Sequence, residues 1–406
     1  MGVKPRFIYQ SDKYGDNAYY EGIKTALQKR REIAEILASF KTQGMTAEEK
    51  ENYYPLQVYC RECNKSKETK VTDYDGEDTV TYVCGCGHSE SVDISGENVG
   101  KLDWKVDWPM RWKYEDVSFE PGGEDHATVG GSYDVSKEIA RKIYGIEPPF
   151  FQGYGFIGIE GESKMSSSKG MGISPQDLLG IYEPELLRWL FTRVEPKKPI
   201  TLFFDSQIIR QYDEFDRMIE KYQKGDLETK EERSLHLAKV NPKDRFALQK
   251  ASFRQVASFG QVAQGNQEEL EKMFERMGQN YDHSSLNKRI EKSQTWVERF
   301  APELKINVRD EPNRDYYDRM TDKEKIQVNS LLANMNQSWN LEELTNLVYA
   351  IPKEPGMEDD VKKVAQRTFF RNVYRMLVDN DTGPRLPTFL LALGEKRVKE
   401  LLRVKK

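Results

Sequence analysis

Phe150-Phe-Gln-Gly-Tyr-Gly-Phe-Ile-Gly-Ile159, with Lys164-Met-Ser-Ser-Ser-Lys-Gly170 close behind it, is the stretch that decides the fold. The first run is apolar apart from Gln152 and its glycines and reads as a Gly-rich apolar strand. Gly153, Gly155 and Gly158 mark places where backbone must come close to another group. Two lysines five apart then flank three hydroxyls on a glycine-bounded loop, and after Pro175 the pattern turns helical. Upstream, the pairs Gly122-Gly123 and Gly130-Gly131 precede a helix over Ser136–Tyr144. Strand and helix therefore alternate here, which is an α/β pattern. Phe7-Ile-Tyr9 reads as a further short buried strand. Tyr20, Ile23, Leu27, Ala34 and Leu37 then fall on one face of a long amphipathic helix.

Between Tyr53 and about Gly100 the character changes to Thr/Val/Tyr-rich pieces with a Tyr74-Asp75-Gly76 hairpin turn, a small β insert. It holds all four cysteines, as Cys60-Arg-Glu-Cys63 and Cys84-Gly-Cys86-Gly-His88. Two thiolate pairs on opposing turns can close a tetrahedron around Zn²⁺. The second pair is tighter than usual, so His88 stands as an alternative to Cys84 or Cys86. No open coordination position is indicated, and the expected role is structural.

Beyond Pro175 the periodicity is helical. Residues 224–235 read as an exposed linker, and Leu331, Leu344, Phe369, Val373, Phe389 and their neighbours fall at helical spacing to the end. With 406 residues, 32% charged and 37% hydrophobic, the chain is expected to hold several domains with real cores. A net charge of −5 argues against a generic polyanion-coating protein while leaving room for a local basic face. Lys396, Arg397, Lys399, Arg403, Lys405 and Lys406 form such a cluster, which more often is a solvated helix end. No apolar run reaches the ~18 residues of a membrane span, and a cytoplasmic location with no membrane partner is expected.

The loop Lys164–Ser168 resembles the KMSKS signature of class I aminoacyl-tRNA synthetases in a KMSSS form, with Ser167 where the fourth residue is usually lysine. Phe7-Ile-Tyr-Gln-Ser11, Val71-Thr-Asp-Tyr-Asp-Gly76, Trp104-Lys-Val-Asp-Trp-Pro-Met-Arg-Trp112, Asp125-His126 and Gly383-Pro-Arg-Leu386 resemble the class I lysyl-tRNA synthetases in particular, essentially end to end. The resemblance implies a Rossmann-type catalytic region over residues 1–54 and 96–174 and a zinc-ribbon insert over 55–95. It further implies a stem-contact helical region over 175–230 and an α-helical anticodon-binding domain over 231–406. The implied activity is attachment of lysine to lysine tRNA through lysyl-adenylate, with ATP and Mg²⁺. Lys164, Met165, Ser166, Ser167, Ser168 and Lys169 would then serve ATP. Trp104, Asp107, Asp125, His126 and Tyr154 would serve L-lysine.

The family's first half-Rossmann, with its His-Ile-Gly-His-like signature, has no counterpart among His88, His126, His236 and His283. The expectation is an enzyme that works as part of a longer or split protein, with a separate N-terminal catalytic half as partner. The alternatives are a non-catalytic tRNA-binding remnant and a zinc-ribbon structural protein.

Overall fold

A computed structural model describes residues 4–159, 173–243, 245–246, 251–263, 267–278, 283–335 and 340–404. The chain divides into two units, one running to Phe156 and including 195–200, the other comprising 157–194 and everything from Thr201.

The first unit is mixed α/β. It runs α1 (Gln10–Gly15), α2 (Tyr20–Gln28), α3 (Arg30–Ser39), α4 (Ala47–Glu51), β1 (Leu56–Val58), β2 (Thr69–Tyr74), β3 (Thr79–Cys84), β4 (Ser89–Asp93), β5 (Gly100–Leu102), α5 (Trp104–Glu115), β6 (Phe119–Gly123), α6 (Ser132–Ile139) and β7 (Phe150–Tyr154). β1 pairs antiparallel with β5, and β2, β3 and β4 form an antiparallel sheet between them in the chain. β6 and β7 are parallel, Phe119 opposite Phe150 through Gly123 opposite Tyr154, with α6 as the crossover: one βαβ unit. Its core is aromatic. Trp108 and Trp112 from α5 pack with Tyr133 and Phe151, and Tyr133 stacks on Phe151 at 4.3 Å.

Two local features explain how α5 is held. Pro109 lies inside the helix and has no N–H for the carbonyl four residues back. That carbonyl, of Lys105, accepts instead from the buried Ser136 hydroxyl of α6 at 3.0 Å, so the defect in one helix becomes the joint to the next. The Trp112 indole donates to Glu120 at 2.8 Å and ties the helix end to β6. Two of the glycines marked in the sequence also find their reason. A side chain on Gly122 would strike the Phe151 ring at 2.6 Å, and one on Gly155 would strike the Lys197 carbonyl at 2.8 Å.

Three expectations are corrected. Phe7-Ile8-Tyr9 forms no strand, and Phe7 and Tyr9 are 72% and 63% exposed; three apolar residues make a strand only where a pairing partner exists, and among the described residues there is none. The long N-terminal helix breaks at Lys29 into α2 and α3. The supposed linker is partly a helix, α10 below.

The second unit is helical: α7 (Pro175–Ile181), α8 (Pro184–Thr192), α9 (Gln207–Lys224), α10 (Thr229–Ala238), α11 (Phe253–Val262), α12 (Gln267–Arg276), α13 (His283–Phe300), α14 (Arg314–Arg319), α15 (Asp322–Asn334), α16 (Leu341–Ala350), α17 (Asp359–Val378) and α18 (Leu386–Leu402). Capping boxes open α7, α11, α15 and α16. Phe369, Val373, Leu377, Phe389 and Leu401 lie in a continuous apolar core. Arg289 of α13 is completely buried. It donates to Glu183 at 2.8 Å, to both Asp216 oxygens at 2.8 and 2.9 Å, and to the Ala251 carbonyl at 3.1 Å, so one guanidinium joins four segments.

Candidate active site and metal centre

The carboxyl ends of β6 and β7 are where an α/β sheet presents ligands. β6 runs directly into a short 3₁₀ turn, Glu124–Ala127, and β7 ends at Tyr154 opposite Gly123. Asp125, His126 and Tyr154 are therefore delivered to one edge by strand register alone. Close-packed backbone fixes the turn. The Thr128 hydroxyl donates to the Asp125 carbonyl at 2.8 Å, Gly131 N–H donates to the Thr128 carbonyl at 2.8 Å, and Gly130 N–H donates to Asp134 at 3.0 Å. A side chain on Gly131 would meet the His126 carbonyl at 2.5 Å, so only glycine lets the loop return there.

α5 supplies the facing wall. Trp104 is 47% exposed and stacks on Trp108 at 5.0 Å, and Trp108 meets the His126 ring edge-on at 5.7 Å. Tyr154 is 48% exposed. An open aromatic surface of this kind, with an imidazole at its rim, accommodates an aliphatic stem and a cationic head.

The structure does not bring Asp107 to that surface. It is 3% exposed, accepts the Tyr14 hydroxyl and pairs with Arg111. Burial pushes its carboxyl up, while Tyr14 and Arg111 pull it back. What it fixes is Arg111, whose guanidinium lies 5.7 Å from the Trp104 ring. Arg111 was not singled out in the sequence, although its place four residues after Asp107 is the helix-pair signal that marks it. Lys164, Met165, Ser166, Ser167, Ser168 and Lys169 lie outside the described residues.

The four cysteines converge. Cys60 and Cys63 sit on the turn after β1, Cys84 ends β3, and Cys86 lies in the turn to β4, where Gly87 takes a φ of 93°. All four sulfurs lie within 4.8 Å of one another, with Cys60–Cys86 and Cys63–Cys84 at 3.7 Å. A tetrahedral site with Zn–S near ~2.3 Å has S···S edges of about 3.8 Å, so the set fits a metal of that size. Burial pushes the Cys60 thiol up, but the Cys63 and Glu62 amides and the neighbouring thiols more than offset it, down to about 6. At Cys84 the Cys86 amide pulls down, and burial with the adjacent sulfurs carries the thiol up to about 12. Thiolates packed this closely repel one another, and a divalent cation bound among the four sulfurs relieves that repulsion. His88 is outside this group, with its Nε2 3.2 Å from Glu90.

Residues 1–241 match the family described as tRNA synthetases class I (K). The chain belongs to this family. Among curated relatives, a lysine–tRNA ligase of Streptomyces coelicolor is 36% identical over 99% of this chain and 77% of its own length. Those of Borreliella burgdorferi and Pyrococcus horikoshii are each 33% identical, over 99% and 100% of this chain and 76% and 77% of their own lengths. The class I synthetase chain thus spans about three quarters of these relatives, and the likeness to them continues through the helices beyond residue 241, where the family match ends. Its mixed α/β first part and helical second part agree with the expected architecture, and no described helix is long and apolar enough to cross a membrane.

Proposed function

We propose that this class I synthetase joins lysine to lysine tRNA, by way of lysyl-adenylate. The observation that carries the reading is that relatives named lysine–tRNA ligases match the chain from end to end, across the aromatic surface of Trp104, His126 and Tyr154. Lysine lies with its stem along Trp104 and Trp108, and Asp125, His126 and Tyr154 set its polar ends. Asp107 acts by fixing Arg111. A lysine carboxylate oxygen attacks the α-phosphorus of ATP, pyrophosphate departs, and the terminal ribose hydroxyl of the tRNA then displaces AMP. No covalent nucleophile of the protein is needed, so the residues position the reactants and stabilise charge. Lys164, Ser166, Ser167 and Lys169, with Met165 and Ser168 between them, hold the triphosphate. Mg²⁺ bound with ATP would neutralise phosphate charge.

The βαβ unit is read as part of a Rossmann-type catalytic region, residues 55–95 as a ribbon holding structural Zn²⁺ on Cys60, Cys63, Cys84 and Cys86, residues 175–230 as a stem-contact region, and 231–406 as the anticodon-binding domain. A separate N-terminal catalytic half is read as a partner of this chain, and the cytoplasm as the place where they act. The test is transfer of radiolabelled lysine to lysine tRNA by the purified chain, alone and with the unmatched part of a relative added in trans. Charging that requires both polypeptides is expected. No charging in either case, with tRNA binding intact, rejects the catalytic reading.

A further inference from the structure

Trp104 is the first residue of α5, where a helix leaves its N–H groups unpartnered. Asp103, at the N-cap, turns its side chain elsewhere and accepts the Tyr53 hydroxyl at 3.1 Å and the Gln57 amide at 2.8 Å. The indole is held instead by Trp108, stacked on it at 5.0 Å, and by the Arg111 guanidinium, 5.7 Å from its centre. Arg111 pairs with Asp107, and its Nε is buried with no hydrogen-bond partner among the described residues, so the direction of the guanidinium rests on that carboxylate. Asp107 is itself buried and accepts the Tyr14 hydroxyl. The same hydroxyl accepts the Leu102 N–H at 3.3 Å, from the strand that pairs with β1. Burial and the Asp107 carboxylate push the Tyr14 phenol far above its usual range, so it stays a donor. Contacts thus run unbroken from a strand backbone, through Tyr14, Asp107 and Arg111, to a half-exposed tryptophan.

We infer that Tyr14 and Arg111 are positioning residues for lysine: Tyr14 orients Asp107, Asp107 orients Arg111, and Arg111 with Trp108 holds the Trp104 indole as the wall along which the aliphatic stem lies. This rests on the reading of Trp104 as a lysine contact and adds what keeps the ring in place. A buried ion pair gives little stability beyond apolar groups of the same volume. What it supplies is direction, because a guanidinium is a planar fork that a carboxylate can set. The hydroxyl of Tyr14 sets the carboxylate in the same way, and a phenylalanine there would fill the space and leave Asp107 one donor short.

The experiment compares Y14F and R111M with wild type and W104A in two readouts, with thermal melts to check folding. The first is the circular-dichroism exciton couplet of the Trp104–Trp108 stack, taken as the difference from W104A and measurable whether or not the chain charges tRNA. Both variants should lose most of it. The second is steady-state charging of lysine tRNA, with whatever further polypeptide full activity requires. The KM for lysine should rise about fivefold in Y14F and about five- to tenfold in R111M, with the KM for ATP and tRNA unchanged. Neither change should raise it further when added to W104A, since both act through that ring. Intact couplets and unmoved lysine kinetics in both variants would overturn the inference. So would penalties that add in full to that of W104A, which mark general destabilisation. A wild-type chain that charges no tRNA fails the catalytic reading instead, and there an unchanged couplet still overturns the positioning of Trp104.

Discussion

Arg289 in the helical unit and Asp107 in the α/β unit are both charges taken out of water, and they are used differently. Arg289 is saturated by Glu183, Asp216 and a carbonyl, deep among helices, and the carboxylates hold its guanidinium protonated against the pull of burial. Asp107 is held by one phenol and one guanidinium, a single turn from a half-exposed tryptophan. On the same helix turn as Asp107 the surface stays aromatic and open, with Trp104 47% exposed and stacked on Trp108. A fully satisfied buried ion cluster is architecture. A partly satisfied one beside exposed aromatics is the support for a site that still has something to bind.

The largest effect that can break this contrast lies in the ribbon, where the α/β unit buries its third kind of polar chemistry. Stripping metal with a chelator, or C63S, should abolish hydrogen-exchange protection in β2, β3 and β4, since structural zinc contributes on the order of 10 kcal/mol to such modules. Protection retained without metal would make the thiols ordinary core. Next comes R289M, which leaves a buried carboxylate, Glu183, and a partly buried one, Asp216, without their cation. A loss of about 3–5 kcal/mol in urea unfolding of the helical unit is expected, and a neutral result would show the cluster to be dispensable. G131A forces the His126 turn to shift. About 1–3 kcal/mol of destabilisation is expected, with a rise in the KM for lysine larger than that stability change explains.

The smallest effect concerns pH. Burial pushes Glu324 up, but Asn372, the Thr321 amide and its hydroxyl hold the carboxyl below its usual range. A depressed folded value contributes stability above the unfolded pKa and loses it as pH falls through the folded one. The wild-type helical unit should therefore weaken on acidification below about pH 4 by less than ~1 kcal/mol, given its exposure, and E324Q should show a flatter profile.

Much of this was legible in the sequence for identifiable reasons. Cysteine spacing is set by coordination geometry, so Cys60, Cys63, Cys84 and Cys86 converge as read. Helical periodicity from α15 to α18 reflects one continuous core. Asp125, His126 and Tyr154 fall together because strand register delivers them. The failures share a cause, which is dependence on partners remote in the chain. Phe7-Ile-Tyr9 has a strand's composition and no strand beside it. Asp107 is turned inward by Tyr14, ninety-three residues away. Ser136 is placed by a proline in another helix. Residues 229–238 look polar enough for a linker, yet Leu235 and Ala238 are buried and the Arg188 guanidinium of α8 bonds the Leu237 carbonyl at 2.7 Å.

The account turns on lysine lying against the aromatic surface at the ends of β6 and β7. The direct measurement is steady-state charging of lysine tRNA with H126A and W104A, assayed with whatever N-terminal part full activity requires. The account predicts a KM for lysine raised at least tenfold in each variant, with the KM for tRNA unchanged. Lysine kinetics indistinguishable from wild type in both would contradict it.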